Sequence, residues 1–232
     1  MFSPLYASLL ALVCAGYATL AFAVRDFDAD LAGGLLYLAL GFGVASLAYG
    51  GLGPEAFFKR PDGARSVAGY VLAGPFFVSV ALARVVQRTV TGEDAWNLVA
   101  PGVYVGRRVR FDDLPADTAT VVDLTSEMLD ERQTRIDRRY LCLPVLDGTA
   151  PPVEPLVELA RQTLASPEPW YVHCAAGHGR SAMLAAVVLV ARGDAPDVRA
   201  AEARMQKSRP KVHLTRRQAI AAEAAVRVLR EG

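Results

Sequence analysis

The sequence predicts an α/β protein in two parts: apolar helices that could cross a membrane, then an α/β domain with a central, mostly parallel sheet. Three long apolar runs lie in the first 90 residues. After them, short apolar runs typical of buried strands alternate with patterns typical of amphipathic helices. Only six of the 25 Lys and Arg and five of the 24 Asp and Glu lie in residues 1–91. We therefore expect membrane-anchoring helices in residues 1–90 and a globular domain in residues 91–232.

The predicted membrane helices occupy residues 4–24, 31–53 and 66–86. The first two runs are uncharged and long enough to span a bilayer, which takes roughly 20 apolar residues. The third is interrupted by Gly74-Pro75. No basic segment precedes the first run, and a second apolar run follows it at once, so a cleaved signal peptide is not favoured.

The basic residues on both sides of the third run leave two topologies open. Lys59 and Arg60 precede this run and Arg84 follows its uncharged part, whereas the positive-inside rule places basic flanks in the cytoplasm. Either all three helices span and the rule is broken at Lys59 and Arg60, or the first two form a hairpin. In the second case the third helix is re-entrant or interfacial, with a kink at Pro75. We expect three spans and a cytoplasmic C-terminal domain, where a reducing compartment would keep a thiol reactive.

The second part begins with a predicted linker at residues 91–94. Strands are predicted at residues 102–106, 120–124, 140–145 and 170–172. Helices are predicted from an N-cap at Thr125 or Ser126 to about residue 135, at 154–165, 181–192 and 197–208, and from a Thr215–Gln218 capping box to about residue 230. Ligands of such parallel sheets bind beyond the carboxyl ends of the strands.

Nine residues between the last predicted strand and the following helix carry the strongest chemical signal: His173-Cys174-Ala175-Ala176-Gly177-His178-Gly179-Arg180-Ser181. A glycine-containing turn between a strand and a helix directs backbone N–H groups into one concavity, which binds anions. The same field lowers the pKa of a cysteine thiol at a helix N-terminus. Arg180 can bind two phosphate oxygens in a planar fork, and Ser181 can donate a hydrogen bond toward the sulfur. The pattern therefore predicts a phosphate-transfer site with Cys174 as nucleophile.

The pattern His173-Cys174-x5-Arg180-Ser181 resembles the signature of the cysteine-dependent phosphatases, and Gly177 gives it the form of the dual-specificity branch. The resemblance covers roughly residues 95–230. It implies a phosphocysteine intermediate, no metal and no organic cofactor. It also implies that the loop binds phosphate through Ala175, Ala176, Gly177, His178, Gly179 and Arg180.

The family also uses an Asp on a mobile loop as general acid, and Asp147 is the corresponding candidate. It follows a predicted strand, lies in a Gly- and Pro-rich loop and precedes the nucleophile by 27 residues. Asp-Gly is also a common structural turn, which is the other interpretation of this residue. Asp123 is the second choice for the acid; alternatively, Asp123 or Glu127 orders the neighbouring loop.

Three other residues are candidates for supporting roles near the loop. His173 could lower the pKa of the nucleophile by its charge or orient the loop by hydrogen bonds, and the second role is favoured. Gln218 resembles a family Gln that positions the attacking water. His178 is expected at the mouth of the pocket, where it either tunes substrate choice or is solvated.

Composition and spacing bear on the partners. A net charge of +1 without aromatic–basic interleaving gives no reason to expect nucleic-acid binding, and three scattered histidines give no metal-ligand spacing. The expected substrate is a phosphorylated protein, with a phospholipid headgroup such as phosphatidylglycerophosphate or a phosphoinositide as the alternative. A basic stretch at residues 199–217 is either a solvated face or attracts such anions. A catalytically silent phosphate-binding module is a third hypothesis.

Cys142 could form a disulfide with Cys174 if their strands are adjacent.

Overall fold

The computed structural model describes residues 3–231, which divide into two units. The first contains the described residues up to Arg60 together with Arg65–Gly92, and the second contains Pro61–Ala64 and the chain from Glu93 onward. In the first unit, the helices are α1 (Pro4–Val24), α2 (Ala29–Leu47) and α3 (Val67–Thr91). A π-helical segment, Ala48–Leu52, continues α2. Among the described residues these three helices are long and apolar enough to cross a membrane.

The surface of the first unit is what a lipid environment requires. Large apolar side chains such as Leu12, Phe22 and Leu82 are more than half exposed. Continuous apolar surface of this kind is rare on soluble proteins. The helices α1 and α2 pack together, as do α2 and α3, and a Cβ on Gly41 would lie 3.0 Å from the Cβ of Pro75. The absence of a side chain at Gly41 thus permits close helix packing, as is common between membrane helices.

The third helix is longer than the apolar run that predicts it. The side chain of Ser66 caps it by accepting a hydrogen bond from Gly69 N, and it continues through Pro75 to Thr91 without a break. Gly92, with a φ of +57°, ends it. The predicted linker therefore starts one residue too early, because Thr91 is still helical.

The second unit is an α/β domain built on a five-stranded sheet in the order β1-β2-β5-β3-β4. β1 pairs antiparallel with β2, and the other neighbouring strands are parallel. The strands are β1 (Trp96–Ala100), β2 (Val103–Arg107), β3 (Thr120–Thr125), β4 (Arg139–Val145) and β5 (Trp170–Cys174). The helices are α4 (Arg132–Asp137), α5 (Val153–Leu164), α6 (Arg180–Ala191), α7 (Val198–Ser208) and α8 (Arg216–Glu231). The fold class predicted from the sequence is confirmed.

The centre of this domain is the unit formed by β5 and α6. All five residues of β5 are buried, and so is α6 from Arg180 to Val190. α6 packs against β5 and against α5, α7 and α8, which together cover it on all sides. Cys174 is the last residue of β5, so it lies at the carboxyl end of a strand with a parallel neighbour on each side.

Two details of this domain correct the sequence-based prediction. β1 was missed, although the Pro101-Gly102 turn after it is a hairpin signal. The helix predicted from Thr125 or Ser126 begins only at Arg132. Thr125 N donates to Asp123 Oδ1, and Ser126 N donates to a carboxylate oxygen of Glu127. With a further bond from Thr125 Oγ1 to Met128 O, these local side-chain contacts belong to a loop and not to a helix start.

Candidate active site

The loop predicted to bind phosphate connects the central strand to the most buried helix. β5 ends at Cys174 and α6 begins at Arg180, so the residues between them form a tight turn at a helix N-terminus. Gly177 has a φ of +80°, and a Cβ there would lie 2.4 Å from the carbonyl carbon of Gly106. A side chain at this position would clash with the backbone of β2, so only glycine fits.

The carbonyl groups of this loop are held on one side, which turns its N–H groups to the other. Ala176 O and Gly177 O accept hydrogen bonds from Arg209, and the next carbonyl accepts from His213 N. In a trans peptide, the C=O group and the following N–H group point in opposite directions. The N–H groups of residues 177 and 178 are therefore directed away from Arg209, and that of residue 179 is directed away from His213 N. The first of them donates to Cys174 Sγ at 3.2 Å.

The environment of Cys174 favours the thiolate. Burial by itself raises the pKa of this thiol, but the charge of Arg180 and hydrogen bonds from Ser181 outweigh burial, and the net shift is downward. The Oγ of Ser181 lies 3.4 Å from the sulfur. A thiol held in this way is ionised at a lower pH than an ordinary cysteine, as a nucleophile requires.

Arg180 is fully buried and oriented by fixed acceptors. Its terminal nitrogens donate to both carboxylate oxygens of Glu127 at 2.7 and 2.9 Å, and Nη1 also donates to Val145 O at 2.7 Å. Burial opposes its charge, but the carboxylates of Glu127 and Asp147 raise the pKa of Arg180 well above its usual value. Among the described residues, nothing accepts a hydrogen bond from its buried Nε. That nitrogen remains available to an anion in the loop.

Asp147, the candidate general acid, lies beside the guanidinium of Arg180. Its Oδ1 is 3.1 Å from Nη2 of Arg180, and its side chain is half-exposed. Its charge acts to raise the pKa of Cys174, so it is also within electrostatic reach of the sulfur. The structure thus brings together the nucleophile, the arginine and the acid that the sequence proposes, from two loops that are distant in sequence.

His173 belongs to a buried network on the other side of the sheet. Its Nε2 lies 2.8 Å from Asp130 Oδ2, and the Tyr140 hydroxyl lies 2.7 Å from Asp123 Oδ2 and 3.2 Å from Asp130 Oδ2. Burial, and then the two carboxylates, raise the pKa of Tyr140, so its hydroxyl stays protonated and donates. Asp123 is directed into this network, and no contact of its carboxylate with Arg180 is seen in the described chain. Its role as alternative acid is therefore not favoured, whereas its contacts order the loop after β3.

This network also contains a set of residues that could hold a cation. One ligand atom each from Asp123, Asp130 and His173 lies within 4.8 Å of the others, and all three residues are buried. Sequence spacing did not indicate this set, because the three residues come from β3, from the loop after it and from β5. The hydrogen bonds described above already use these atoms, and we assign no reaction step to a metal there.

Gln218 lies beside the loop with its amide already in use. The capping box is confirmed: Thr215 N donates to Gln218 Oε1 at 3.0 Å, and Gln218 N donates to Thr215 Oγ1 at 3.3 Å. Gln218 Nε2 donates to Thr149 O at 3.1 Å. A Cβ on Gly179 would lie 3.0 Å from Gln218 Oε1, which places the amide against the loop. Its family-like role in positioning water stays a prediction.

His178 contacts a carboxylate rather than solvent alone. Its Nε2 lies 2.7 and 2.9 Å from the carboxylate oxygens of Glu93, and Glu93 also approaches Arg209 and Lys211. Burial acts to raise the pKa of Glu93, but its hydrogen bond to His178 and these cations lower it overall. Three residues at the site were thus not proposed for it from the sequence, namely Glu93, Asp130 and Arg209. Glu127 was proposed only as a residue that orders the loop after β3.

The structure does not favour a disulfide between Cys142 and Cys174. In the sheet, Cys142 on β4 is level with Asp123 on β3, which is level with His173 on β5. Cys142 is therefore two strands from β5, and its side chain shares the face of His173. Consecutive residues of a strand point to opposite faces, so Cys174 points the other way. Among the described residues, none of the three cysteines forms a disulfide.

The fold and this site define a cysteine-dependent phosphatase domain. Residues 107–231 match the family model of the Swiss Army Knife protein, DSP-PTPase phosphatase domain, and the chain belongs to this family. The resemblance stated from the motif is thereby confirmed, and the three apolar helices fit a membrane-anchored member.

Several solved structures are similar to this domain. The G95A mutant form of Tk-PTP aligns with a TM-score of 0.51 and 22% identity over 60% of this chain and 98% of that chain. PTPMT1 in complex with PI(5)P aligns with a TM-score of 0.49 and 18% identity over 60% and 98% of the two chains. Human DUSP28 aligns with a TM-score of 0.48 and 17% identity over 60% and 97%. At these identities the similarity concerns the fold. No curated protein matches the sequence.

Proposed function

We propose that this protein is a membrane-anchored hydrolase of phosphate monoesters that acts through a phosphocysteine on Cys174. The observation that carries this proposal is the convergence of a thiol of lowered pKa, a buried arginine with an available Nε, and a carboxylate at one loop. Residues 91–232 would be the catalytic domain, and residues 1–90 would anchor it with its active site facing the cytoplasm.

In the first step, the Cys174 thiolate attacks phosphorus while the bond to the leaving oxygen breaks. Arg180 and the N–H groups of the loop bind the three remaining phosphate oxygens, where charge develops in the transition state. Asp147 gives its proton to the leaving oxygen, so the alcohol or phenol departs neutral. To do this, Asp147 exchanges its contact with Arg180 for one with the substrate.

In the second step, water attacks the phosphocysteine and the S–P bond breaks. Asp147, now a carboxylate, accepts a proton from that water, and inorganic phosphate is released. The sulfur leaves as a thiolate, and Ser181 stabilises it by a hydrogen bond across the 3.4 Å that separates the two atoms. Every proton is returned, and this route uses no metal or organic cofactor.

The proposed substrate is a phosphorylated side chain of a protein. Ala175 and Ala176 add no cation inside the loop, so the charges of Arg180 and the loop N–H groups match one phosphate group. A highly phosphorylated inositide would bring further charge for which the loop has no partner. A single phosphate on a tyrosine, serine or threonine fits this balance.

A phospholipid headgroup with one phosphate monoester is the second candidate, and the three apolar helices that precede the catalytic domain favour it. If these helices span a membrane, they would keep the enzyme at a surface of lipid headgroups. A headgroup with one phosphate also matches the charge of the loop.

Phosphate release by the full-length protein in liposomes tests the proposal. A phosphotyrosine peptide and phosphatidylglycerophosphate serve as substrates, with Cys174→Ser as the blank, and rapid acid quenching followed by mass spectrometry detects phosphate on Cys174. We expect release of phosphate and a trapped phosphocysteine. Unchanged hydrolysis by Cys174→Ser would overturn the mechanism. A strong preference for the lipid would replace the protein substrate by the second candidate.

A reporter fused after Gly63 tests the proposed topology. Three spans with a cytoplasmic C-terminal domain place this connection on the other side of the membrane. A cytoplasmic reporter would contradict three spans, and the hairpin with a re-entrant third helix would take their place.

A further inference from the structure

The side of the loop that faces away from Cys174 is held by one buried arginine. Arg209 is 1% exposed. Its Nε donates to Gly177 O at 2.8 Å and its Nη2 to Ala176 O at 2.9 Å. Its Nη1 donates to Asp94 O at 3.1 Å and to Asn97 Oδ1 at 2.8 Å. The guanidinium thus joins the loop to the segment that follows the third apolar helix.

Glu93 is the carboxylate that compensates this guanidinium. Its Oε1 lies 3.4 Å from Nη2 of Arg209, and the same oxygen lies 2.7 Å from His178 Nε2. Lys211 Nζ lies 3.5 Å from the other oxygen. One partly buried carboxylate therefore faces a loop histidine, the arginine that binds the loop carbonyls, and an exposed lysine.

The charges around this pair leave Glu93 as the main source of compensation. Burial lowers the pKa of Arg209 and the positive charge of Arg107 adds to this, whereas Glu93 is the largest influence in the opposite direction, followed by Tyr171 and Cys174. A neutral residue at position 93 would leave the buried guanidinium without its nearest carboxylate. Its geometry, and with it the direction of the loop carbonyls, would no longer be fixed.

We propose that Glu93 is a positioning residue of the phosphate loop: by holding Arg209 and His178 it keeps the loop N–H groups directed at the anion. The inference rests on the proposed function of that loop and deepens it, because it adds a residue outside the motif that orients the loop.

The direction in which phosphate affinity changes when Glu93 is neutralised distinguishes a positioning role from a purely electrostatic one. Glu93 is negative and close to the loop, so removal of its charge should strengthen anion binding if charge alone matters. If Glu93 positions the loop, the same change weakens anion binding, because the N–H groups lose their direction. The isosteric change Glu93→Gln therefore gives opposite results under the two explanations.

The test measures the Kd of inorganic phosphate by calorimetry on the full-length protein in detergent, in a Cys174→Ser background that prevents turnover. We expect Glu93→Gln to weaken phosphate binding about tenfold, the size of one charge-assisted hydrogen bond. Glu168→Gln is the matched control, because it removes a carboxylate that pairs with Arg192 near the opposite end of β5. We expect no change in that variant.

Two outcomes would overturn the inference. Equal or tighter phosphate binding by Glu93→Gln would leave only the electrostatic role. If the background protein itself binds no phosphate, the proposed function fails, and this inference fails with it.

A double-mutant cycle tests whether Glu93 acts on phosphate binding through His178. If Glu93 acts through His178, then His178→Gln and Glu93→Gln together weaken phosphate binding less than the sum of their separate effects. Additive losses would contradict action through that pair. Thermal unfolding of each variant distinguishes loss of phosphate binding from loss of fold.

Discussion

Two buried arginines, Arg209 and Arg180, contact one loop, and they differ in how many of their guanidinium nitrogens donate hydrogen bonds within the protein. Arg209 donates four hydrogen bonds to neutral acceptors, at least one from each of its three nitrogens, and its Nη2 also forms an ion pair with Glu93. Arg180 is bound mostly by carboxylates, and its Nε has no acceptor in the described chain.

The difference shows how the same side chain serves two purposes. Burial and sparse compensation lower the pKa of Arg209, whereas two carboxylates raise that of Arg180 in spite of its burial. Arg209 fixes the backbone of the loop, whereas Arg180 has an Nε–H group that can donate to a bound anion. Substitutions of Arg180, or of the side chains that contact it or Cys174, test these two purposes separately.

The largest effect is expected for Arg180→Lys. An ammonium keeps the charge but cannot reproduce the planar fork or the contacts with Glu127, so transition-state stabilisation is lost. We expect kcat/KM for an aryl phosphate to fall about a thousandfold, measured by phosphate release. The matched variant Arg209→Lys should cost much less, because it retains a donor to the carbonyl side. Equal losses in the two variants would contradict the division of roles.

Glu127→Gln should primarily reduce stability. It removes the carboxylate that binds Arg180 with both oxygens in a buried site, and breaking such a pair costs about 3 kcal/mol. Urea denaturation monitored by fluorescence measures the change in the free energy of unfolding. Glu158→Gln, on the exposed face of α5, is the control and should change it little. A Glu127→Gln protein as stable as the parent would show that Arg180 is oriented by other groups.

Asp147→Asn should separate leaving-group protonation from thiol ionisation. We expect kcat with a poor leaving group to fall about a hundredfold, because no proton is supplied. At the same time, loss of a nearby negative charge should lower the pKa of Cys174 further, since that charge acts to raise it. The pH dependence of alkylation by iodoacetamide measures this pKa. A slower reaction without the downward shift would place Asp147 away from the sulfur.

The sequence predicted those parts of the site whose residues are neighbours along the chain. Cys174, Arg180 and the loop between them form one motif, and the local pattern of strand, glycine turn and helix identifies it. Asp147 could be proposed because a turn-forming loop after a strand is also a local signal. The strands after β1 and the capping box of α8 follow from the same kind of pattern.

The remaining parts depend on contacts between distant segments, which local patterns do not encode. Glu127 binds Arg180 across 53 positions, and Glu93 binds His178 across 85. Both acids also look like ordinary loop residues in the sequence. The false helix start at Thr125 has a different cause. Thr125 and Ser126 are residue types typical of an N-cap, but their N–H groups donate locally to Asp123 and Glu127 in a segment that is not helical.

The smallest effect is expected for Ser181→Ala, which changes only the hydrogen bond to the sulfur. Burial acts to raise the pKa of Cys174, but the charge of Arg180 and the hydrogen bonds from Ser181 lower it overall, so loss of the hydroxyl should raise this pKa. Thiolate is then lost at a higher pH as the solution is acidified, and the acid limb of the alkylation profile moves upward. Hydrolysis of the phosphocysteine should slow about tenfold, because the leaving thiolate loses one hydrogen bond. Burst kinetics with an aryl phosphate measure this second step, and an unchanged burst-to-steady-state ratio would show that Ser181 does not assist departure of the sulfur.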